Sequence, residues 1–448
     1  MKFFISFLIS FFFSACSDNT TSSQVIDDNN SNPLFSQQWS INYNAEFYRL
    51  NSVDENAHIN PQNTFETYTG SGVKVAVIDD GFDVNHPEIK GKIIATISVD
   101  ENGVVGSDVS HLDTRLHHGT SVAGIIAAAN NDIGLVGVSP DIELILIRYP
   151  TNNYLDDIIF MQLFTLAVDA GAEIINCSWG TGDVSDAVRD FMENLDAVVV
   201  FASGNGNTNM GNDESAMPSV IGVGATDRTN LRTRYSDYGK DLDIVAPGGD
   251  SIGITTLDTL GIDGASEDEY LRFNEFRSGS EVSFIGTSAA APIISGVIAL
   301  GIEKNPNLTR QEIQELLKIS TSHIGMNIPY IDDMISSSSL SPIITGLYGT
   351  NQDVIMKVRL TSMDTNVTFG FYSVESIGNN EWSASVSDIL DEGNYKIELL
   401  SDSNQVLATD EDFTIDTLSS SQTDKRKRKN NYYGYGKIDL DKFISNVN

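Results

Sequence analysis

From Val73 onward the chain alternates short apolar runs with longer stretches of helical spacing. VKVAVID (73–79), LILIRY (144–149), EIINCSWG (173–180) and AVVVFASGN (197–205) are nearly continuous apolar runs. Runs of this kind predict strands buried on both faces. Between them, SVAGIIAAA (121–129), DDIIFMQLFTLAVDAG (156–171) and VSDAVRDFMENL (184–195) predict helices, the second ended by a glycine. VIGVGATD (220–227) and DIVAPG (243–248) read as strand–turn units. TSAAAPIISGVIALGIEK (287–304) predicts a long helix. LTRQEIQELLKIS (308–320) predicts another, begun by a capping box of Thr309 and Glu312. Strands and helices in alternation predict an α/β body, a parallel sheet with helices on both faces.

The texture then changes. VIMKVRLT (354–361), VTFGFYSV (367–374), WSASV (382–386), NYKIELL (394–400), QVLA (405–408) and DFTID (412–416) are short strands between polar turns. No helical stretch interrupts them, so they predict an inserted all-β, Ig-like sandwich module. KRKRK (425–429) follows and reads as an exposed, mobile junction. The chain closes on YYGYGKIDLDKFI (432–444).

The N-terminus departs from this pattern. Lys2 precedes an apolar run, Phe3 to Phe13, that is too short to span a bilayer and fits a signal-peptide core. Phe13-Ser14-Ala15-Cys16 is similar to a bacterial lipoprotein cleavage box, which implies a lipid on Cys16. Ser17 at the next position leans toward the outer membrane of a Gram-negative cell envelope. Residues 17–32, rich in Ser, Asn, Asp and Thr, read as a flexible tether. The one other cysteine is Cys177, so lipidation of Cys16 excludes a disulfide in the mature chain.

The chain has 448 residues, 40% of them apolar, which supports a large core and excludes global disorder. Its net charge of −35 excludes nucleic acid and anionic headgroups as natural partners and favours calcium and cationic peptides. A monomer is the default expectation.

Three stretches carry chemistry. VIDDG (77–81) ends a strand in two acids, and functional groups in open parallel sheets sit at such carboxyl ends. HHGTSVAG (117–124) and GTSAAAP (286–292) place a His and a Ser at helix starts. Singly, Asp79, His118 and Ser288 each read as a strand-end or helix cap. Together, an acid, a His and a Ser are the parts of a nucleophilic hydrolase. The G-x-S-x-G pentapeptide of an α/β-hydrolase esterase does not occur.

With separations of 39 (118 − 79) and 170 (288 − 118) residues, the three motifs closely resemble the subtilisin-like serine peptidase family. The resemblance runs from about Asn32 to Gly325 and resumes at about Tyr432. NPLFSQQW (32–39), DDG, SWG (178–180), FASGNGN (201–207) and NPNLT (305–309) lean toward its kexin-like branch. The resemblance implies a signal peptide at 1–15, a tether at 16–32, a peptidase domain at 33–330, the β-module at 335–424 and a last peptidase segment at 430–448. It implies a triad of Asp79, His118 and Ser288 with Asn205 in the oxyanion hole. Asp80 would then serve substrate binding or a metal. ANNDIGLVG (129–137) is similar to the family's calcium loop, which implies ligands from Ala129, Asn131, Ile133 and Leu135, with Glu88 as the acid. The substrate walls implied are Ser178, Trp179, Gly180, Ser203 and Gly204. Asp183 and Asp213 would favour a basic residue before the cut, and Lys427-Arg428 then reads as a self-cleavage site.

The family's inhibitory pro-domain is not expected between Cys16 and the catalytic domain, and the kexin processing module gives way to the β-module. A protein or peptide is the expected substrate. A broad-specificity enzyme and a surface binding protein built on an inactive peptidase body stay open. The lipid anchor has a direct check. Cys16→Ser should move the protein from the membrane fraction to the soluble one, because the lipid would supply the membrane affinity. A variant still bound after a high-salt wash would place the anchor elsewhere.

Overall fold

The computed structural model describes residues 30–448 except 62, 114–116, 151–154, 262–263, 267–268, 273–275, 278–279, 282, 326–327, 349–355, 379, 389 and 419–420. The expected signal peptide, Cys16 and most of the tether lie outside the described residues. The apolar runs become strands β1 (Lys74–Asp79), β4 (Glu143–Arg148), β5 (Ile174–Cys177), β6 (Val198–Ala202), β7 (Ile221–Thr226) and β8 (Ile244–Pro247), joined by β2 (Ile93–Val99) and β3 (Val105–Gly106), which the pattern did not predict. Two short strands, β9 (Thr256–Leu257) and β10 (Tyr270–Leu271), pair with each other, as do β11 (Phe276–Arg277) and β12 (Ser280–Glu281). The helices are α1 (Ala45–Asn51), α2 (His118–Ala127), α3 (Asp157–Asp169), α4 (Asp186–Glu193), α5 (Thr287–Lys304), α6 (Arg310–Ile319) and α7 (Leu440–Asn446).

Strands β1 to β8 and β13 (Thr321–Ser322) belong to one ten-stranded sheet. Its last member, β22 (Lys437–Ile438), comes from the end of the chain. The order is β13-β22-β8-β7-β6-β5-β1-β4-β2-β3, parallel from β2 to β22 and antiparallel at both edges. Alternate residues of β1 feed opposite cores. Val75 and Val77 pack with α2 and α5, while Ala76 and Ile78 pack with α3 and α4. Covering both faces of a parallel sheet requires such continuous apolar strands.

The helices start where the sequence predicts. The Asp156 side chain accepts from the Ile159 amide at 2.9 Å, the Ser185 hydroxyl from the Val188 amide, and Thr309 and Glu312 close the capping box. Helix α5 is buried from Thr287 to Ile302. It passes through the core on small residues. A Cβ on Gly296 would lie 2.6 Å from the Val138 side chain.

The β-module contains β14 (Tyr330–Ser337), β15 (Ile343–Leu347), β16 (Met356–Ser362), β17 (Thr368–Gly378), β18 (Glu381–Ser385), β19 (Gly393–Ser401), β20 (Val406–Ile415) and β21 (Gln422–Lys429). The extra strands are present, but they do not divide into two separate sheets. They form one sheet in the order β15-β18-β17-β16-β19-β20-β14-β21. Strand β14 meets β15 at its start and runs parallel to β20 at its end, so the sheet curls back on itself. Trp382, Tyr395, Phe413, Val358 and Leu399 fill its interior.

The run 425–429 corrects the expectation of a mobile cleavage site. It lies in β21, paired with β14. Lys427 pairs with Glu315 and Asp333, and Arg428 with the buried Asp332 and with Glu381, both at 2.6 Å. Acids on α6, β14 and β18 draw these cations into the sheet, where an extended, hydrogen-bonded strand offers no free loop to a protease.

Candidate active site

Three chain segments converge at the carboxyl end of the parallel sheet. Asp79 ends β1 and is fully buried. One of its oxygens, Oδ1, accepts from His118 Nδ1 at 2.7 Å and from the Asp80 amide at 2.8 Å. The other, Oδ2, is buried without a hydrogen-bond partner. Burial pushes the Asp79 carboxyl up. Burial also works against a charged His118, but the Asp79 carboxylate and its hydrogen bond outweigh it and raise the imidazole to about 8. Helix α2 can begin this close only because residue 119 is glycine. A Cβ there would lie 2.2 Å from the Gly81 carbonyl and 3.0 Å from Asp79 Cβ. A third of the His118 side chain stays open to solvent, and the Phe284 ring stands edge-on at 5.5 Å.

Asp80 accepts from the Gly119 amide at 3.1 Å and lies 3.5 Å from His111 Nδ1. Burial opposes its charge, but the neighbouring His111 and His118 rings and the Gly119 amide hold it below the usual carboxylate range. Among the described residues, Asp79, Asp80 and His118 are the one acid–histidine group close enough to share a metal. The bonds just given already account for this grouping.

Ser288 sits at the start of α5, almost buried. It forms a reciprocal pair with Ser178. Ser288 Oγ donates to the Ser178 carbonyl at 2.9 Å, and Ser178 Oγ donates to the Ser288 carbonyl at 3.0 Å. Pro292 explains the second bond. It is the sixth residue of α5 and not part of its first turn, so its missing N–H deprives the Ser288 carbonyl of its helical partner. Ser178 supplies the replacement donor. Asn176 Nδ2 donates to Ser178 Oγ at 3.1 Å, and Ser295 Oγ donates to Asn176 Oδ1 at 2.8 Å.

The Asn205 carboxamide is oriented by the same helix. Its Oδ1 accepts from the Thr287 amide at 2.9 Å and from Thr287 Oγ1 at 3.1 Å. With that oxygen held, the NH2 group remains to donate. Gly286, at φ 128°, turns the chain into α5 beside it. The segment thus brings a hydroxyl, an imidazole backed by a carboxylate and an amide donor to one end of the sheet.

The other expected residues divide. Trp179 donates to the Ile78 carbonyl at 2.7 Å and packs on Tyr149 and Phe201. Ser203 is buried, and Gly204 sits at φ 103°, where a Cβ would meet Asp237 Oδ2 at 2.1 Å. Asp213 borders Gly180, 3.2 Å from where a Cβ would stand. Asp183 instead is exposed and holds Asn212. Glu214, which the sequence reading missed, is fully buried beside Gly180. Both its oxygens accept from the Thr181 amide at 3.1 Å, and burial pushes its carboxyl up. Asp237, also missed, accepts from the Thr208 amide at 2.7 Å.

The loop after α2 gathers the expected cation ligands in part. Ala129 donates its amide to the Glu88 carbonyl at 3.1 Å, and the Asn131 side chain hydrogen-bonds to the Glu88 carboxylate. Asn131 Oδ1 accepts from the Ile133 amide at 3.2 Å; Leu135 is buried and Ile133 exposed. Glu88 is buried. Its Oε1 accepts from the Tyr270 hydroxyl at 2.9 Å, while Oε2 has no partner. Burial pushes its carboxyl up. A buried carboxylate oxygen without a donor fits a missing cation of the hard, oxygen-seeking kind.

The profile of the subtilase family matches residues 70–334. The calcium-dependent protease of a Nostoc species is 30% identical over 322 residues, 65% of this chain and 47% of that protein. Subtilisin from Bacillus pumilus is 30% identical over 277 residues, 60% of this chain and 90% of that protein. The chain spans about half the length of the first two curated relatives it matches. A solved protease from Pseudoalteromonas arctica has a TM-score of 0.53 at 26% identity, covering 65% of this chain and 92% of its own. A solved serine protease of Aeromonas sobria has a TM-score of 0.57 over 89% of this chain and 94% of its own. At 17% identity that likeness shows the fold alone.

The ion pair makes its own prediction. His118 should titrate by NMR near pH 8. Asp79→Asn should drop the midpoint below the ordinary value of about 6.5, because burial then meets only the weaker pull of Asp80. A midpoint that Asp79→Asn leaves in place would exclude the carboxylate as its cause.

Proposed function

The chain belongs to the subtilase family, and we propose that it is a serine endopeptidase working through Asp79, His118 and Ser288, with Asn205 as oxyanion donor. The 2.7 Å bond between Asp79 and His118 Nδ1 carries this reading. It fixes the tautomer that leaves Nε2 free to take a proton. The hydroxyl of Ser288 must turn from the Ser178 carbonyl toward that nitrogen as substrate binds. His118 then takes the hydroxyl proton while Oγ forms a bond to the scissile carbonyl carbon. The carbonyl oxygen gains the charge and receives the Asn205 NH2. When the C–N bond breaks, His118 returns the proton to the leaving amine. A water molecule, deprotonated by the same imidazole, then releases the acyl group. Asp79 stays ionised and stabilises the imidazolium. His118 must be neutral to begin, so kcat/KM follows its deprotonation and falls tenfold per pH unit below about 8.

A preference for Lys or Arg before the cut is part of the reading. Asp213 and Glu214 border Gly180, and Asp237 borders Gly204, so the two backbone walls of the pocket are backed by carboxylates. Burial raises both Asp213 and Glu214, which a cationic side chain would reverse. This agrees with the kexin-like resemblance, with Glu214 in place of Asp183.

Calcium is also proposed. Glu88 and Asn131 would hold it with nearby backbone carbonyls, and the ion would clamp the loop 129–137 to the segment of Glu88 between β1 and β2. Its contribution is to stability, not to the bond cleavage.

Peptides differing only in Arg or Leu before the cut test the chemistry. Wild type should cleave the Arg peptide faster, and Ser288→Ala should lose about 10⁶-fold in kcat while keeping its melting temperature. Activity above about a tenth of wild type in Ser288→Ala would reject the nucleophile, and equal rates on both peptides would reject the acidic pocket. For the cation, millimolar calcium should raise Tm over chelator in wild type and do so less in Glu88→Gln. Identical melting curves in wild type would remove calcium from the account.

A further inference from the structure

The exposed loop that carries Asn205 is held by α5 at its start and from behind by a second segment. Asn205, Gly206, Asn207 and Thr208 all face solvent. Residues 232–238, between β7 and β8, brace them. The Asn207 amide donates to the Tyr235 carbonyl at 2.7 Å, and the Tyr238 amide to the Thr208 carbonyl at 3.0 Å. Asp237 accepts from Thr208. Asn207 has φ 53°, a left-handed conformation that its neighbours must maintain. Arg232 Nη2 donates to Asn207 Oδ1 at 2.6 Å. The same segment reaches the nucleophile's helix, because the Gly286 amide donates to the Tyr235 hydroxyl at 3.1 Å.

Arg232 is itself held by the chain returning from the β-module. Its guanidinium lies 5.2 Å from the Tyr238 ring centroid and 5.4 Å from that of Tyr432, and these two rings stack at 4.8 Å. Its amide donates to the Tyr433 hydroxyl at 3.1 Å. The Gly239 amide donates to the Asn431 carbonyl at 2.8 Å. From the β-module, Gln405 Nε2 donates to the Tyr432 hydroxyl at 2.5 Å. An unbroken set of contacts therefore runs from the turn between β19 and β20, through Tyr432 and Arg232, to Asn207 and the loop of Asn205.

We propose that Arg232 and Tyr432 are positioning residues for Asn205, through which the β-module and its return segment hold the oxyanion loop in its working geometry. The proposal rests on the reading of Asn205 as oxyanion donor. Neither residue touches the reacting atoms. Both act by fixing where the carboxamide stands, and small displacements of such a donor cost large factors in rate. The loss should therefore fall on kcat and not on KM.

Steady-state kinetics of the full chain on one peptide substrate, with Tm measured in parallel, test it. Asn205→Ala should lower kcat by about 10²–10³. Arg232→Met keeps the length of the stem but loses the bond to Asn207. It should lower kcat about tenfold or more with KM changed less than about twofold. In the Asn205→Ala background the same change should cost less than about twofold, since a positioning residue has nothing left to position. Tyr432→Ala should follow Arg232→Met, and Tyr432→Phe, which keeps the ring but loses the bond from Gln405, should fall between wild type and Tyr432→Ala. If Arg232→Met fails to fold, the Tyr432 pair with its own Asn205→Ala cycle gives the same comparison. Losses that are equal with and without Asn205, or a kcat unchanged in both Arg232→Met and Tyr432→Ala, overturn the positioning role while Asn205 keeps its assignment. An Asn205→Ala variant with wild-type kcat overturns the oxyanion assignment and this proposal with it.

Discussion

The molecule is organised around one buried charge. Asp79 ends the strand at the middle of the sheet, has no exposed surface, and finds donors for one oxygen only. A carboxylate in that position is costly unless a cation or strong donors stand beside it. His118 is the group that does so, and it must come from the first residue of a helix to reach. That places α2 against the strand end, which in turn requires Gly119 and leaves Gly81 to turn the chain away. The same burial that makes Asp79 expensive makes its field on His118 strong, because little water screens it. The raised imidazole follows from the architecture and needs no further device.

A second constraint comes from α5. A helix buried along nearly its whole length must satisfy its own backbone, and Pro292 breaks that rule at the Ser288 carbonyl. The repair comes from Ser178 at the end of β5, supported by Asn176 and Ser295. The result ties Ser288 to the end of the strand that carries Ser178, Trp179 and Gly180. One proline thus converts a backbone defect into a fixed distance between Ser288 and the neighbouring strand.

Legibility in the sequence followed the range of the interactions involved. The apolar runs, the caps at Asp156 and Thr309 and the three motifs are local, and their positions agree with the strands, helix starts and convergence described above. Glu214 was not legible. An acid in the polar stretch 205–215 looks the same whether it faces water or is sealed beside Gly180, and only the fold decides. KRKRK misled for the same reason, since its partners Glu315, Asp332 and Glu381 lie far along the chain. The β-module strands were readable by their alternation, but not their closure. Nothing local says that β14 borders both β15 and β20.

The β-module raises a question of necessity. Its flanking strands β13 and β22 are antiparallel neighbours at the edge of the main sheet, with Thr321 opposite Ile438 and Ser322 opposite Lys437. The chain therefore leaves and returns at nearly one point. A short loop could close that gap, and lengthening a loop costs little in closure entropy. Completing the sheet thus gives no reason for a module of eight strands. What distinguishes the module is where its return segment lies. Tyr432 and Tyr433 come back across the segment 232–238 before β22 enters the sheet, and Tyr330 of β14 joins Tyr433, Leu242 and Val245 in a shared apolar cluster. Gln405 of the module reaches Tyr432 at this point, so an effect of the module on the candidate site would pass through those two tyrosines.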